Sequence, residues 1–118
     1  MILIGLSTLQ LKFETEVLEI MDLSIKETLY GKAIIRGGIE MYKYDDAITV
    51  IELCSRNNIQ VLGIDAFSLS NEHTQPVQEH SIDFTSSTYI ENNRANDEAA
   101  HDFIESKKHL DLVFEIVY

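Results

Sequence analysis

Apolar residues recur at helical spacing in two parts of the first half of the chain. The first pattern predicts an amphipathic helix over residues 14–23, with acidic side chains on its remaining faces. The second predicts a helix that begins at Tyr44 or Asp45 and ends at Asn57 and Asn58. Asparagine suits this end because it tolerates the left-handed conformation that closes a helix. The apolar stripe of this second helix consists of Ala47, Val50, Ile51 and Cys54.

A third helix is predicted near the carboxyl end by its charges. Asn96 is a favoured residue for an N-cap, and we expect its side chain to cap this helix. Acids follow in the first turn and bases come at the end, so that both complement the helix dipole. These charged residues are Asp97 and Glu98 at the start and Lys107, Lys108 and His109 at the end.

Three other segments have the pattern of β-strands. Residues 59–67 form a nearly continuous apolar run, which predicts a central strand covered on both faces, although Asp65 interrupts it. A partner strand is predicted over residues 77–84, after Pro76. Apolar residues at every second position of 110–118 predict a final strand. Residues 32–44 fit either a hairpin or an irregular connection. Three helices and a small, mostly antiparallel sheet predict a single α+β domain of two layers over residues 1–118.

Charge changes this picture most. The chain has 9 basic and 20 acidic side chains, a net charge of −11, and residues 57–93 contain no Lys or Arg. Such a protein attracts cationic surfaces and repels nucleic acid and anionic lipid, so we expect a basic protein as its partner. The first residues lack the charged region and cleavage signature of a secretion signal. The single cysteine, Cys54, cannot form an internal disulfide, so we expect it to be a buried apolar side chain in a reducing cytoplasm.

Sequence motifs give little support to catalysis. The chain has no nucleophile elbow, phosphate-binding loop, dinucleotide fingerprint or metalloprotease helix motif, and we expect no cofactor. The remaining candidate is a metal site at Glu79, His80 and Asp83, with His73 upstream. Alternate residues of a strand share a face, so Glu79 and Asp83 point together while His80 points away. A solvated acidic strand is therefore the favoured interpretation, as is an ordinary exposed helix face for His101 and its acidic neighbours Glu98 and Glu105.

Asp65 is the residue that fits its surroundings least. A carboxylate in an apolar strand has to reach solvent, accept hydrogen bonds, or lie in a cleft with a function. The simplest structural interpretation is a carboxylate bonded to backbone N–H groups of the following loop. The alternative is a contact with a partner protein. Tyrosines in connecting segments, including Tyr89, fit either loop packing or the anchors of an interface.

A resemblance supports the second alternative for Asp65. The run Leu62-Gly63-Ile64-Asp65-Ala66-Phe67 follows a helix rich in Ile and Leu, and Gln75-Pro76 and a terminal Phe-Glu-Ile-Val strand come later. Together they resemble the small immunity proteins of bacterial polymorphic-toxin systems, and most of all the family called immunity protein forty. The resemblance covers roughly residues 23–118. It implies a cytoplasmic protein without catalytic activity that binds and neutralises one toxin domain.

Charge and resemblance together predict an inhibitor whose acidic surface covers a basic cleft of a toxin. The expected contacts are those in and beside the base-free stretch. They are Asp65, Glu72, Glu79, Asp83 and Tyr89. Two alternatives stay open, namely a small metal-dependent enzyme using Glu79, His80 and Asp83, and a separate regulatory or adaptor domain.

Overall fold

A computed structural model describes residues 25–85 and 93–118, without the side chains of 93–95. Within these residues the prediction of an α+β domain with three helices and antiparallel sheets is confirmed. Residues 25–28 are helical and are named α1. The other elements are β1 (Ile34–Arg36), β2 (Ile39–Met41), α2 (Tyr44–Arg56), β3 (Gly63–Leu69), β4 (Thr74–Pro76), a 3₁₀ turn (Gln78–His80), β5 (Ile82–Asp83), α3 (Asn93–Ser106) and β6 (Val113–Val117).

β3 is the central strand of the main sheet. Its first five residues pair with β6, from Gly63 opposite Val117 to Phe67 opposite Val113. The other edge of β3 is shared, because β5 pairs with its beginning and β4 with its end. The β1–β2 hairpin joins the far edge of β6 through a single bridge between Tyr42 and Phe114. The main sheet is therefore antiparallel throughout.

The helices cover one face of this sheet. Alternate residues of β3 and β6, such as Ile64 and Phe114, point toward the helices and form the main core with them. The predicted stripe of α2 is buried in this core, and Cys54 is fully buried as expected. The helical contributions to the core are Ile25 and Leu29 from α1 and its end, the four stripe residues of α2, and Ala100 and Ile104 of α3.

The hairpin covers part of the opposite face. Met41 of β2 packs with Phe67 and Val113 in a second, smaller apolar cluster. Arg36 fixes the hairpin there, because its Nη1 donates to the backbone oxygens of Ser70 at 2.6 Å and His73 at 3.2 Å. The hairpin thus covers the end of β3 near Phe67. At the beginning of the same face, the side chain of Asp65 is exposed.

Several local predictions are confirmed. α2 begins at Tyr44, and the chain after it adopts the left-handed conformation at Asn58, with φ of 55°. Of the two alternatives left open for residues 32–44, the structure has the hairpin, whose turn has positive φ at both Gly37 and Gly38 and therefore suits glycine. The helix predicted over residues 14–23 lies outside the described residues.

The predicted strand over residues 77–84 is wrong. Its middle forms the 3₁₀ turn Gln78–His80, between the short strands β4 and β5. Ser81 explains why this interruption is tolerated: its Oγ accepts the N–H of Ala66 at 3.0 Å and donates to the carbonyl of Val77 at 2.9 Å. The Val77 N–H in turn donates to the Ala66 carbonyl at 2.8 Å. The Ser81 side chain and one isolated backbone hydrogen bond therefore satisfy the N–H and the carbonyl of Ala66 in β3, where the strand pairing stops.

Other boundaries also differ. The central strand covers Gly63–Leu69 instead of residues 59–67, and Asp65 is exposed, so the strand is not covered on both faces. β6 is shorter than predicted, at Val113–Val117. α3 begins at Asn93, so Asn96 is not its cap but lies inside the helix, fully buried. None of the described helices is both long enough and apolar enough to cross a membrane.

Candidate functional site

The uncovered part of the sheet presents carboxyl groups. Since side chains alternate along a strand, Asp65 points away from the helices that cover Ile64 and Ala66. Residues paired across antiparallel strands share a face, which places Glu115 of β6 and Asp83 of β5 on the same side. We name Asp65, Asp83 and Glu115 the acidic sheet face.

Asp65 and Glu115 lie directly opposite each other in the strand register. Partial burial of Glu115, followed by the charge of Asp65 and a side-chain hydrogen bond to it, raises the pKa of the Glu115 carboxyl. Like charges directly opposite each other destabilise a sheet. The structural interpretation of Asp65 as a carboxylate bonded to backbone N–H groups finds no such donor among the described residues. The carboxylate instead faces a second acid.

Asp83 is held beside this pair by the close approach of β5 to β3. A Cβ on Gly63 would come within 3.0 Å of the Ile82 carbonyl oxygen, so the glycine permits the strands to lie this close. Asp83 Oδ1 accepts hydrogen bonds from the backbone N–H and hydroxyl of Thr85, at 2.8 and 2.6 Å. These two bonds lower the pKa of Asp83 and so favour its charged form.

A shallow cavity connects two of the three acids. Asp65 and Asp83 line the same space of about 290 Å³, together with Thr85 and the exposed side chain of Val117. Glu115 lines a neighbouring cavity, and Val117 lines both cavities. The acidic sheet face is therefore an open surface with one apolar side chain among its carboxyl groups.

The structure brings only two of the predicted contact residues together. Asp65 and Asp83 share the acidic sheet face, whereas Glu72 lies in the turn after the other end of β3 and Glu79 lies in the 3₁₀ turn. Tyr89 is outside the described residues. Sequence reasoning missed Glu115, although the alternation of the final strand placed it opposite to the core residues Phe114 and Ile116.

The acids of this face do not form a compact metal site. Among the described residues, the one group of three or more potential ligand atoms within 4.8 Å of one another is His101, Asp102 and Glu105 on α3. The alternative set of Glu79, His80, Asp83 and His73 is not such a group. Glu79 and His80 lie in the 3₁₀ turn, whereas Asp83 lies in β5. The spacing of the acidic sheet face suits an extended cationic side chain better than a metal ion, since metal ligands have to converge on one point.

Comparisons with known proteins add no further constraint. No family model, no curated protein and no solved structure matches this chain. The function therefore has to be inferred from the site itself, and the resemblance to immunity proteins remains a prediction.

Replacing Glu115 with glutamine tests the opposed pair in the free protein. We expect Glu115→Gln to raise the free energy of unfolding at neutral pH by about 0.5 kcal/mol, because it removes one of two like charges that face each other across strands. An acid whose pKa is raised in the folded state stabilises the fold at low pH and loses that contribution as the pH rises through the raised pKa. The difference between variant and parent should therefore shrink below the ordinary glutamate pKa of about 4.3.

Urea unfolding at several pH values measures this difference. Glu52→Gln is the matched control, since Glu52 is an exposed glutamate on α2. An equal gain for both variants at neutral pH would indicate a general effect of net charge, and would contradict a specific repulsion between Asp65 and Glu115.

Proposed function

We propose that this protein is an immunity protein, which binds a basic surface of a cognate bacterial toxin domain in the cytoplasm and blocks its activity. The observation that carries the proposal is the Asp65–Glu115 pair, in which two acids face each other on an uncovered part of the sheet. Such a pair costs stability in the free protein. A cation supplied by a partner would convert this cost into binding energy.

Arginine is the side chain that fits such a site best. Its planar guanidinium presents five donors and can bond two carboxylates at once, whereas lysine acts as a single compact charge. Asp83 offers a further carboxylate whose pKa is lowered by Thr85. Val117, which is exposed and lies two residues from Glu115 on the same face of β6, supplies an apolar surface against the stem of a long basic side chain.

The charge of the whole molecule supports the same partner. A net charge of −11 accelerates the encounter with a basic surface and discourages contact with acidic ones. Toxin domains that attack nucleic acid commonly have a basic cleft, because they bind phosphates. An acidic protein surface in such a cleft would exclude the substrate directly, without any chemistry on the part of the inhibitor.

Coexpression with the toxin domain encoded beside this chain tests the proposal. We expect coexpression to restore growth of the host cell and to yield a complex that copurifies at moderate salt. Growth without any physical complex would contradict inhibition by binding, since it would indicate repair of the damage or modification of the toxin. A complex that forms but leaves the toxin active would identify the chain as a partner protein other than an inhibitor.

A further inference from the structure

Two neighbouring cavities form one groove beside the β1–β2 hairpin. One, of about 360 Å³, lies between the end of α1 and the hairpin, and the other, of about 310 Å³, lies between the hairpin and β6. They share Lys26, Glu40 and Tyr42 as lining residues and therefore adjoin each other. We name this space the hairpin groove.

The second cavity exists because β2 and β6 separate after one bridge. Tyr42 and Phe114 exchange backbone hydrogen bonds of 2.8 Å in both directions, but Glu40 does not continue this pairing with Ile116. Alternate residues of a strand direct their backbone groups to the same side, so the N–H and C=O of Ile116 point toward β2, as those of Phe114 do. No strand among the described residues pairs with Ile116 on this side. The groove wall therefore offers the edge of a strand to an extended peptide.

Exposed apolar side chains are concentrated along this groove. Tyr30 is 89% exposed and Ile35 is 64% exposed, and both line its first cavity. Val117 and Tyr118 line its second cavity, each 37% exposed. Of the five large hydrophobic side chains exposed in the described part of the chain, Leu110 alone lies outside the groove. Such a concentration marks a surface that binds another molecule.

Charge identifies the kind of molecule. The groove is lined by two glutamates, Glu40 and Glu115, and by one lysine, Lys26. Glu115 also belongs to the acidic sheet face, so the two surfaces meet at this residue. A second copy of this chain also has a net charge of −11, and the repulsion between two acidic proteins opposes self-association. A basic partner has the complementary charge.

We propose that the hairpin groove binds an extended segment of the partner protein that combines basic with apolar side chains. This inference rests on the proposed function in taking the partner to be a basic protein. The segment adds to the β6 edge at Ile116, places an apolar side chain against Tyr30 and Ile35, and directs a cationic side chain to Glu40. The acidic sheet face and the hairpin groove are then two parts of one interface.

Selection from a random linear peptide library displayed on phage, with the full chain immobilised, tests the groove without the toxin. We expect the recovered peptides to combine Lys or Arg with aliphatic or aromatic residues. Synthetic copies should bind Tyr30→Ala and Ile35→Ser about tenfold more weakly than the parent, as expected for contacts near the centre of an interface. Both side chains are exposed, so these substitutions should leave the fold intact, which circular dichroism verifies.

Matched controls distinguish the groove from general stickiness and charge. Leu110→Ser removes an exposed apolar side chain outside the groove and is the control for the apolar variants. Glu52→Gln removes a charge outside the groove and is the control for Glu40→Gln, which removes a charge inside the groove. The controls should bind the peptides as the parent does, and amide NMR shifts should be concentrated at Glu40 and Ile116. The proposal would be overturned if no peptides were recovered, or if the peptides bound Ile35→Ser as tightly as the parent. A dimer that shields the groove would overturn it as well.

The same variants separate this inference from the proposed function. If peptides bind the groove but the toxin domain forms no complex, the groove stands and the immunity function fails. If the toxin complex forms with undiminished affinity in both Tyr30→Ala and Ile35→Ser, the immunity function stands and the groove proposal is wrong.

Discussion

Asp65→Asn is expected to weaken the complex with the toxin domain by about 2–5 kcal/mol, mainly through faster dissociation. The carboxylate is exposed in the free protein and would lose water when a cation of the partner covers it. Asparagine keeps the shape of the side chain but removes the charge, which leaves the partner's cation desolvated without its counterion. Surface plasmon resonance on the purified pair gives both rate constants.

Glu72→Gln is the control for this effect. It removes the same single charge from the same base-free stretch, but Glu72 lies in the turn after β3 and outside the acidic sheet face. We expect it to change the dissociation rate little. Asp65→Asn should also melt close to the parent. If Asp65→Asn binds normally but melts at a much lower temperature, the carboxylate is structural and its assignment to the interface is wrong.

Asn96→Leu is expected to raise the free energy of unfolding by about 1–3 kcal/mol, the usual cost of a buried polar group without a partner. Asn96 is fully buried in α3, and among the described residues neither its Oδ1 nor its Nδ2 has a hydrogen-bond partner. Leucine has the same branched shape, and it also favours helix more strongly than asparagine does. The midpoint of urea unfolding should therefore increase, with an unchanged slope.

Asn96→Ala provides the comparison, because it removes the amide but leaves unfilled space. We expect its stability to lie below that of Asn96→Leu. If both variants are less stable than the parent by a similar amount, the amide makes a stabilising bond and is not an unsatisfied group. Binding of the toxin domain should be unchanged in both variants, since Asn96 lies among the helices and away from the acidic sheet face.

The parts of the fold that depend on local sequence could be predicted. The apolar stripe of α2 and its asparagine end follow from residues within one helix, and both are present. The hairpin could not be chosen over an irregular connection, because the turn conformation at Gly37 and Gly38 depends on the pairing of β1 with β2. Asn96 suits a cap by residue type, but α3 begins at Asn93, where a second asparagine stands.

The site was harder to predict because it depends on strand register. Asp65 is recognisable as a charged residue in an apolar strand, but the acid opposite it, Glu115, is far away in sequence and becomes its neighbour only when β3 pairs with β6. Glu79 is predicted as a contact because it lies in the base-free stretch, but sequence position alone does not show that it lies in the 3₁₀ turn, away from the acidic sheet face. The Ser81 hydroxyl replaces a backbone partner there, and no periodicity in the sequence reports such a substitution.

The dependence of the association rate on salt tests recognition of a basic partner by the acidic sheet face most directly. From about 0.05 to 0.5 M ionic strength the Debye length falls from more than about 10 Å to a few Å, which weakens steering between exposed charges. We expect a steep fall in the association rate for the parent and a distinctly shallower one for the double variant with Asp65→Asn and Asp83→Asn. A flat profile for the parent, or the same slope in both proteins, would contradict recognition through this face.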